Sequence, residues 1–206
     1  MDGTILDTLR DLADSVNWAL CECGLPERSY AEIRRFLGNG IFNLIRRSVP
    51  EGTPQELEDK VRIIYKRRYE EHCNDTTRPF DGIPEAMEEL RCRGYRLACV
   101  SNKPDDDVAR LAERHFAGLL DAWSGPLPGM PIKPAPALCD RILSMGGLTR
   151  ADAVYVGDTE VDIETARNAG MDCIVCAWGF RDEDFLKECG AEIIIHSPEE
   201  LLEHLE

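Results

Sequence analysis

The chain has 206 residues and a formal net charge of −15, with 24 Lys and Arg against 39 Asp and Glu. An acidic excess of this size repels phosphate backbones and anionic lipid, so nucleic acids and membrane surfaces are excluded as expected partners. No apolar stretch is long enough to cross a membrane. The first residues are acidic where a signal peptide is basic, so we do not expect export.

The cysteines indicate a reducing environment. The chain has nine, an odd number that a closed disulfide framework cannot use up, and most lie in apolar stretches, as Cys99 does. We therefore expect reduced thiols and a cytoplasmic location. Cys21 and Cys23 lie two positions apart on a predicted helix and point to opposite sides, so they are not expected to share a metal.

The first third of the chain is predicted to be helical. Apolar residues recur at helical spacing over residues 9–73. Ser29 and Glu32 have the spacing of a capping box and predict a helix start. Thr53, followed by a proline and by Glu56, predicts another helix start with Thr53 as the cap.

Short β-rich apolar runs alternate with helical patterns in the rest of the chain. The predicted strands are 96–100, 121–124, 153–156, 173–176 and 192–195. The predicted helices are 83–93, 106–115, 136–145, 161–169, 182–188 and a last one capped by Ser197. This alternation predicts an α/β fold with a Rossmann-like, doubly wound parallel sheet. We expect an α/β domain formed by 1–8 and 81–206, with 9–80 inserted as a helical domain.

The negative charge is confined to the predicted α/β domain. Residues 9–80 hold 12 basic and 12 acidic residues, whereas the remainder holds 12 basic and 27 acidic. A cation site would account for part of this excess, and a solvated surface accounts for the rest.

Four polar segments follow predicted strands or begin helices. They are Asp2-Gly3-Thr4, Ser101-Asn102-Lys103, Lys133-Pro134-Ala135-Pro136, and Gly157-Asp158 with Asp162. Each alone has an ordinary structural explanation: a turn, a helix cap, a solvated lysine before a helix, or a strand-to-helix turn. Open parallel sheets, however, bind their ligands at the carboxyl ends of the strands.

Taken together, the four segments contain the groups that a dianionic phosphate requires. Lys133 supplies a positive charge, and Ser101 with the following backbone N–H groups supplies donors. Asp158 offers a carboxylate ligand for Mg²⁺, and Asp162, one helical turn later, is placed to orient metal-bound water. Asp2 is an acid near the leaving oxygen.

The same segments, in the same order, resemble the four motifs of the haloacid dehalogenase superfamily of phosphatases. Within that superfamily the chain is similar to the phosphoglycolate phosphatase type with a helical cap. Gly38-Asn39-Gly40, followed by Leu44 and Arg47, resembles the cap segment of that group. The resemblance covers essentially the whole chain.

The resemblance implies a Mg²⁺-dependent phosphatase that hydrolyses a small phosphomonoester, with 2-phosphoglycolate as the leading substrate. An aspartate accepts the phosphoryl group, and water then removes it. The implied catalytic residues are Asp2 and Lys133. The implied phosphate-binding residues are Gly3, Thr4, Ser101, Asn102 and Lys133. The implied metal group is Asp2, Asp158 and Asp162, and the implied substrate contacts in the cap are Asn39, Gly40 and Arg47.

The chain departs from the family pattern at its first residue. The family motif places the accepting aspartate directly before Met1, at the end of a central strand, and neither is in the printed sequence. We expect that the 206 residues are an incomplete version of a catalytic protein, poorly stable and inactive as printed. The loop 125–131 also lacks the acidic residue that often precedes the lysine of this family, so its local shape is expected to differ.

Other functions stay open at this stage. A non-catalytic protein that binds phosphate or a metabolite would explain the absent aspartate. A phosphomutase or a pyrophosphatase with the same cap is a further possibility. A haloacid dehalogenase is disfavoured, because it uses neither an acid at position 2 nor a metal. The sequence does not fix the oligomeric state.

Overall fold

The computed structural model describes residues 1–205 and divides them into two compact units. One unit consists of residues 1–6 and 79–205, and the other of Asp7–Arg78. The chain passes from one unit to the other within two short paired strands, β1 (Leu6–Asp7) and β2 (Arg78–Pro79).

The larger unit alternates strands and helices. Its strands are β3 (Ala98–Val100), β4 (Ala122–Ser124), β5 (Val154–Gly157), β6 (Asp172–Cys176) and β7 (Ile193–Ile195). Its helices are α5 (Ile83–Cys92), α6 (Asp105–Phe116), α7 (Ala137–Gly146), α8 (Glu160–Ala169), α9 (Glu183–Glu188) and α10 (Pro198–His204). Each predicted strand and helix has a counterpart here, and the predicted α/β class is confirmed.

The strands of this unit pair in parallel. β3 pairs with β4, while β5, β6 and β7 form a second sheet in that order. Within residues 1–205 these are two separate hydrogen-bonded ladders. All pairing is therefore of the crossover kind, in which each strand is followed by a helix.

Both faces of the second sheet are buried, as in a doubly wound fold. On β6, Ile174 and Cys176 join a cluster with Ile195, whereas Val175 packs on the opposite face with Ile163 of α8. Side chains alternate between the two faces of a strand, so a strand covered on both sides is an uninterrupted apolar run. This explains why the sequence pattern predicts the strand correctly.

The smaller unit contains four helices: α1 (Leu9–Glu22), α2 (Tyr30–Phe36), α3 (Gly40–Ser48) and α4 (Gln55–His72). α1 packs against α4. The predicted capping box is confirmed, since the Ser29 side chain accepts from the Glu32 N–H and the Glu32 carboxylate accepts from the Ser29 N–H. The predicted Thr53 cap is wrong: α4 begins after Pro54, and the Thr53 hydroxyl donates to the Pro50 carbonyl instead.

A buried carboxylate joins the two ends of the helical unit. Asp11, in the first turn of α1, accepts hydrogen bonds from the backbone N–H and the hydroxyl of both Thr76 and Thr77, 65 and 66 positions later. Burial opposes the ionisation of Asp11, but these hydrogen bonds hold its pKa below the ordinary value. The carboxylate therefore stays charged and ties the start of the unit to its end.

None of the helices among the described residues is both long enough and apolar enough to span a bilayer. No disulfide bond joins any of the nine cysteines in the described part of the chain.

Candidate active site

Lys133 is a buried cation with two fixed partners. Lys133 lies on the loop before α7 and is only 8% exposed. Its Nζ donates to Asp162 Oδ1 at 2.7 Å and to the Tyr155 hydroxyl at 3.1 Å. Burial alone would lower the pKa of Lys133, but Asp162 and Tyr155 raise it well above the ordinary value. The side chain is therefore an ammonium ion at neutral pH.

Asn102 holds the backbone of Lys133 in place. Its Nδ2 donates to the Lys133 carbonyl at 3.0 Å, and its Oδ1 accepts from the Lys133 N–H at 2.7 Å. Both ends of the amide are thus engaged with the lysine backbone. The structure consequently places Asn102, predicted as a phosphate contact, where it positions the lysine.

The Asp162 carboxylate accepts five hydrogen bonds from the described residues. Its Oδ1 accepts from Lys133 and from Tyr155, the latter at 3.0 Å. Its Oδ2 accepts from the backbone N–H of Asp158 and from both the N–H and the hydroxyl of Thr159. Burial opposes its ionisation, but Lys133 holds the pKa of Asp162 far below its usual range.

Gly157 leaves the space that the Asp162 side chain occupies. A Cβ built on Gly157 would lie 2.3 Å from the Cβ of Asp162, which is too close for two carbon atoms. Thr159 and Asp162 form the capping box that begins α8. The turn from β5 to α8 thus fixes the carboxylate that faces Lys133. Protein donors thus engage both of its oxygens, and the metal-ligand role that the sequence predicts for Asp162 stays a prediction.

Asp158 is enclosed by backbone from two other segments. It is 2% exposed, its Oδ1 accepts from the Thr4 hydroxyl at 2.8 Å, and its Oδ2 accepts from the Phe180 N–H at 2.9 Å. A Cβ on Gly3 or on Gly179 would lie 2.2 or 2.3 Å from the nearest Asp158 side-chain atom. Only glycine allows so close an approach from both sides.

The environment of Asp158 disfavours an isolated negative charge. Burial, together with the charge of Asp162, raises the pKa of Asp158 to about 6. Each of its oxygens accepts one hydrogen bond and keeps a second lone pair. A cation bound there would relieve the repulsion between the two carboxylates.

The first turn of the chain is held by its own backbone. The Gly3 N–H donates to the Leu6 carbonyl and the Thr4 N–H donates to the Met1 carbonyl. The hydroxyl of Thr4 is bound to Asp158. The structure therefore engages the donors of Gly3 and Thr4 within the protein, although the sequence predicts them as phosphate contacts.

Asp2 lies beside a second buried lysine. The Nζ of Lys103 is 3.4 Å from Asp2 Oδ1, and Lys103 is itself buried. Apart from this ion pair, the buried Oδ1 atom accepts no hydrogen bond from any of residues 1–205. The Ser101 hydroxyl oxygen accepts from the Lys103 N–H at 3.2 Å, which leaves its own proton for another acceptor.

These side chains fit a divalent cation in part. No group of three His, Cys, Asp or Glu residues is arranged to hold a metal within the described chain. Mg²⁺, however, is usually held by one or two carboxylates together with substrate oxygens and water. Asp158, with open lone pairs, and Asp2, with a buried oxygen that lacks a hydrogen bond, suit that mode of binding.

Sequence reasoning missed two residues of this arrangement, Lys103 and Tyr155. Lys103 is the last residue of the segment Ser101-Asn102-Lys103, a polar run that directly follows β3. Tyr155 stands inside an apolar strand, where its ring is explained by core packing. The signal for Tyr155 is its hydroxyl, because a buried tyrosine O–H needs a partner.

The residues predicted to contact substrate from the cap all lie in the helical unit. Asn39 and Gly40 begin α3, and the Asn39 carbonyl accepts from Asn43 Nδ2. Arg47, in the last turn, is exposed, and its Nη1 donates to the Phe36 carbonyl at 3.3 Å. The structure places Arg47 on a cleft of about 560 Å³ within this unit, together with two further arginines, Arg28 and Arg46.

Comparisons with known proteins identify the family of this chain. The family model described as haloacid dehalogenase-like hydrolase matches residues 1–176. A phosphoglycolate phosphatase of Nitrosospira multiformis is 33% identical, over 96% of this chain and 89% of that protein. One of Pseudomonas savastanoi is 31% identical, over 87% of this chain and 68% of that protein.

A solved structure is similar over the full length. The crystal structure of a Lactobacillus delbrueckii protein, described there as a candidate phosphoglycolate phosphatase, has a TM-score of 0.94 and 36% identity. It covers 100% of this chain, and this chain covers 95% of it. On the family match, the sequence identity and the shared fold, the chain belongs to the haloacid dehalogenase-like hydrolases.

Proposed function

We propose that this protein is a Mg²⁺-dependent phosphatase that hydrolyses a small phosphomonoester, with 2-phosphoglycolate as the leading substrate. The observation that carries the proposal is the buried Lys133 ammonium, held by Asp162 and Tyr155 on the α/β unit that also contains Asp158. The names of the similar proteins support the choice of substrate.

The proposal gives Lys133 and Ser101 the task of binding the phosphate. The ammonium neutralises part of the dianion, and the Ser101 proton is not engaged in its bond with Lys103. Asn102 and Asp162 act through Lys133, because their bonds fix its backbone and its Nζ. A preorganised cation stabilises the charge that develops on the transferred phosphoryl oxygens.

Asp158 would hold Mg²⁺ through its carboxylate. Asp2, which also suits a cation, is assigned instead to the proton transfers of the reaction. When bound, the cation neutralises negative charge on the phosphate oxygens. Asp162, whose oxygens are occupied by protein donors, is assigned to positioning. The net charge of −15 is consistent with a site that holds a cation.

The reaction then has two balanced steps. In the first, the phosphorus–oxygen ester bond breaks as an aspartate oxygen bonds to phosphorus, and Asp2 gives its proton to the leaving alkoxide. In the second, Asp2 takes a proton from water, the water oxygen bonds to phosphorus, and inorganic phosphate leaves with the aspartate regenerated. The family motif places that accepting aspartate directly before Met1, outside the printed sequence.

The implied partner is a small phosphorylated metabolite, and Asn39, Gly40 and Arg47 are proposed as its contacts from the helical unit. A guanidinium binds a carboxylate through two parallel hydrogen bonds, which suits a substrate that carries one beside its phosphate. A reducing compartment such as the cytosol would keep the cysteines reduced.

Phosphate release from a panel of metabolite phosphate esters tests the proposal. The panel is run with Mg²⁺ and with a chelator, on the 206-residue chain and on a version preceded by a β-rich segment ending in aspartate. We expect Mg²⁺-dependent turnover by the extended version, with the highest kcat/KM for 2-phosphoglycolate.

A matched pair of variants assigns the activity to the site. In the extended protein, Lys133→Met should lower kcat/KM by about 100-fold or more. Lys187→Met, which removes an exposed lysine paired with Glu183, should leave it unchanged. If no ester is hydrolysed, or if Lys133→Met hydrolyses them at the unsubstituted rate, the proposal is wrong.

A further inference from the structure

Tyr155 places a hydroxyl group deep inside the α/β unit. It lies on β5, and its ring packs in a buried cluster with Cys139 of α7 and with Ala166 and Ala169 of α8. Packing alone would be satisfied by a phenylalanine, because the cluster is apolar. The hydroxyl therefore calls for a separate explanation.

The hydroxyl closes a triangle of hydrogen bonds. It accepts from Lys133 Nζ at 3.1 Å and donates to Asp162 Oδ1 at 3.0 Å, while Lys133 Nζ donates to the same Oδ1 at 2.7 Å. Each of the three groups thus bonds to the other two. The Lys133 ammonium also lies 5.8 Å from the centre of the Tyr155 ring.

This triangle fixes the orientation of the ammonium. A lysine ammonium has three N–H groups that rotate freely about the terminal carbon–nitrogen bond. One partner removes little of that freedom, whereas two partners in fixed places leave a single N–H group with a defined direction. Asp162 alone provides one anchor, and Tyr155 provides the second.

We infer that Tyr155 is a positioning residue, whose hydroxyl orients the Lys133 ammonium so that its remaining N–H group binds a phosphate oxygen. The inference rests on the proposed function, because it needs a phosphate as the ligand of Lys133. It deepens that function by assigning part of the affinity for phosphate to a side chain that need not touch the phosphate.

Tyr155→Phe isolates the hydroxyl, since the ring, the apolar packing and the aromatic face toward Lys133 are kept. The control is Cys139→Ala, which disturbs the same cluster without removing a member of the triangle. Binding of inorganic phosphate to each full chain is measured by titration calorimetry, with circular dichroism to confirm folding. We expect the dissociation constant to rise about tenfold for Tyr155→Phe, as for a lost hydrogen bond to a charged group, and to stay unchanged for Cys139→Ala.

A second measurement reports on the ammonium itself. Nitrogen-15 spectra of the lysine side chains should show a slowly exchanging Lys133 ammonium in the unsubstituted chain and in Cys139→Ala, and its loss by broadening in Tyr155→Phe. A purely structural role of Tyr155 would lower the melting temperature without this change.

The outcomes separate the two proposals. If the unsubstituted chain binds phosphate and Tyr155→Phe binds it equally well, the inference is overturned and the proposed function stands. If no chain binds phosphate, the proposed function fails and the inference fails with it.

Discussion

Replacing Asp162 by asparagine should remove the group on which the site depends. The substitution keeps the size of the side chain but deletes the negative charge that lies 2.7 Å from Lys133 Nζ. It also puts an amide NH₂ where an oxygen stood. Because Lys133 and Tyr155 donate to one oxygen and backbone donors of the α8 start to the other, either orientation of the amide sets donor against donor.

The expected loss of stability is large. Removing one partner of a buried ion pair costs about 3–5 kcal/mol, because an uncompensated charge stays buried. The net stability of a domain is about 5–15 kcal/mol, so this loss is a substantial fraction of the whole. Asp152→Asn is the matched control: Asp152 closes an equivalent capping box with Thr149, but it is exposed and has no lysine partner. Asp152→Asn should lower the free energy of unfolding by less than about 1 kcal/mol.

Urea denaturation followed by circular dichroism measures both variants against the unsubstituted chain. Equal losses for Asp162→Asn and Asp152→Asn would refute the reasoning, because the two differ in burial and in the lysine. A loss of less than 1 kcal/mol for Asp162→Asn, on the order of an exposed pair, would also refute it.

The pH dependence of the stability difference between the unsubstituted chain and Asp162→Asn provides an independent check. The pKa of Asp162 is depressed in the folded state relative to the ordinary value of 3.8, so its stabilising effect is fully present above that value. It is lost as the pH falls toward the folded-state pKa. The stability difference between the unsubstituted chain and Asp162→Asn should therefore be constant between about pH 7 and 8, above the pKa of about 6 of Asp158, which Asp162 helps to raise. It should shrink below about pH 4.

Three other variants test the remaining assignments. Asp158→Asn should weaken Mg²⁺ binding, measured by calorimetry, by about tenfold or more, while Asp152→Asn should leave it unchanged; equal effects would refute the metal assignment. In the extended protein, Arg47→Ala should lower kcat/KM more for 2-phosphoglycolate than for an ester without a carboxylate, and a uniform loss would count against a carboxylate contact. Gly157→Ala should cost about 1–3 kcal/mol of unfolding free energy, because the new Cβ would lie 2.3 Å from the Cβ of Asp162. Gly146→Ala is its control, since that Cβ meets a flexible leucine side chain at 3.3 Å, and melting curves compare the two.

The α/β architecture could be predicted because its strands are buried on both faces. A strand such as β6 is then an apolar run between turns. In the helices between the strands, apolar residues instead recur at helical spacing. The start of α4 was less predictable. Thr53 has the residue type and spacing of a cap, but whether its hydroxyl bonds forward to the helix or back to Pro50 depends on local backbone that residue types do not determine.

The residue types of the site could be predicted, but their pairing could not. The sequence shows Asp158 and Asp162 as two carboxylates one helical turn apart, and residue types alone do not show which of them pairs with a lysine. In the structure, Asp162 faces a lysine from 29 positions earlier, whereas Asp158 accepts from the hydroxyl of Thr4 and the N–H of Phe180, which are neutral. Contacts between residues so distant along the chain arise from tertiary packing, and the same is true of the hydroxyl partners of Tyr155.

The hydrogen bonds of Asp11 make the helical unit a module whose two ends are joined within the unit itself. Asp11 binds Thr76 and Thr77 by its own hydrogen bonds, so the points where the chain enters and leaves are tied together by residues of this unit. A segment closed in this way can replace a surface loop of a host domain, because insertion requires only that its ends lie near each other. Replacement of this module by another with similarly joined ends would therefore leave the strands and helices of the host α/β unit unchanged.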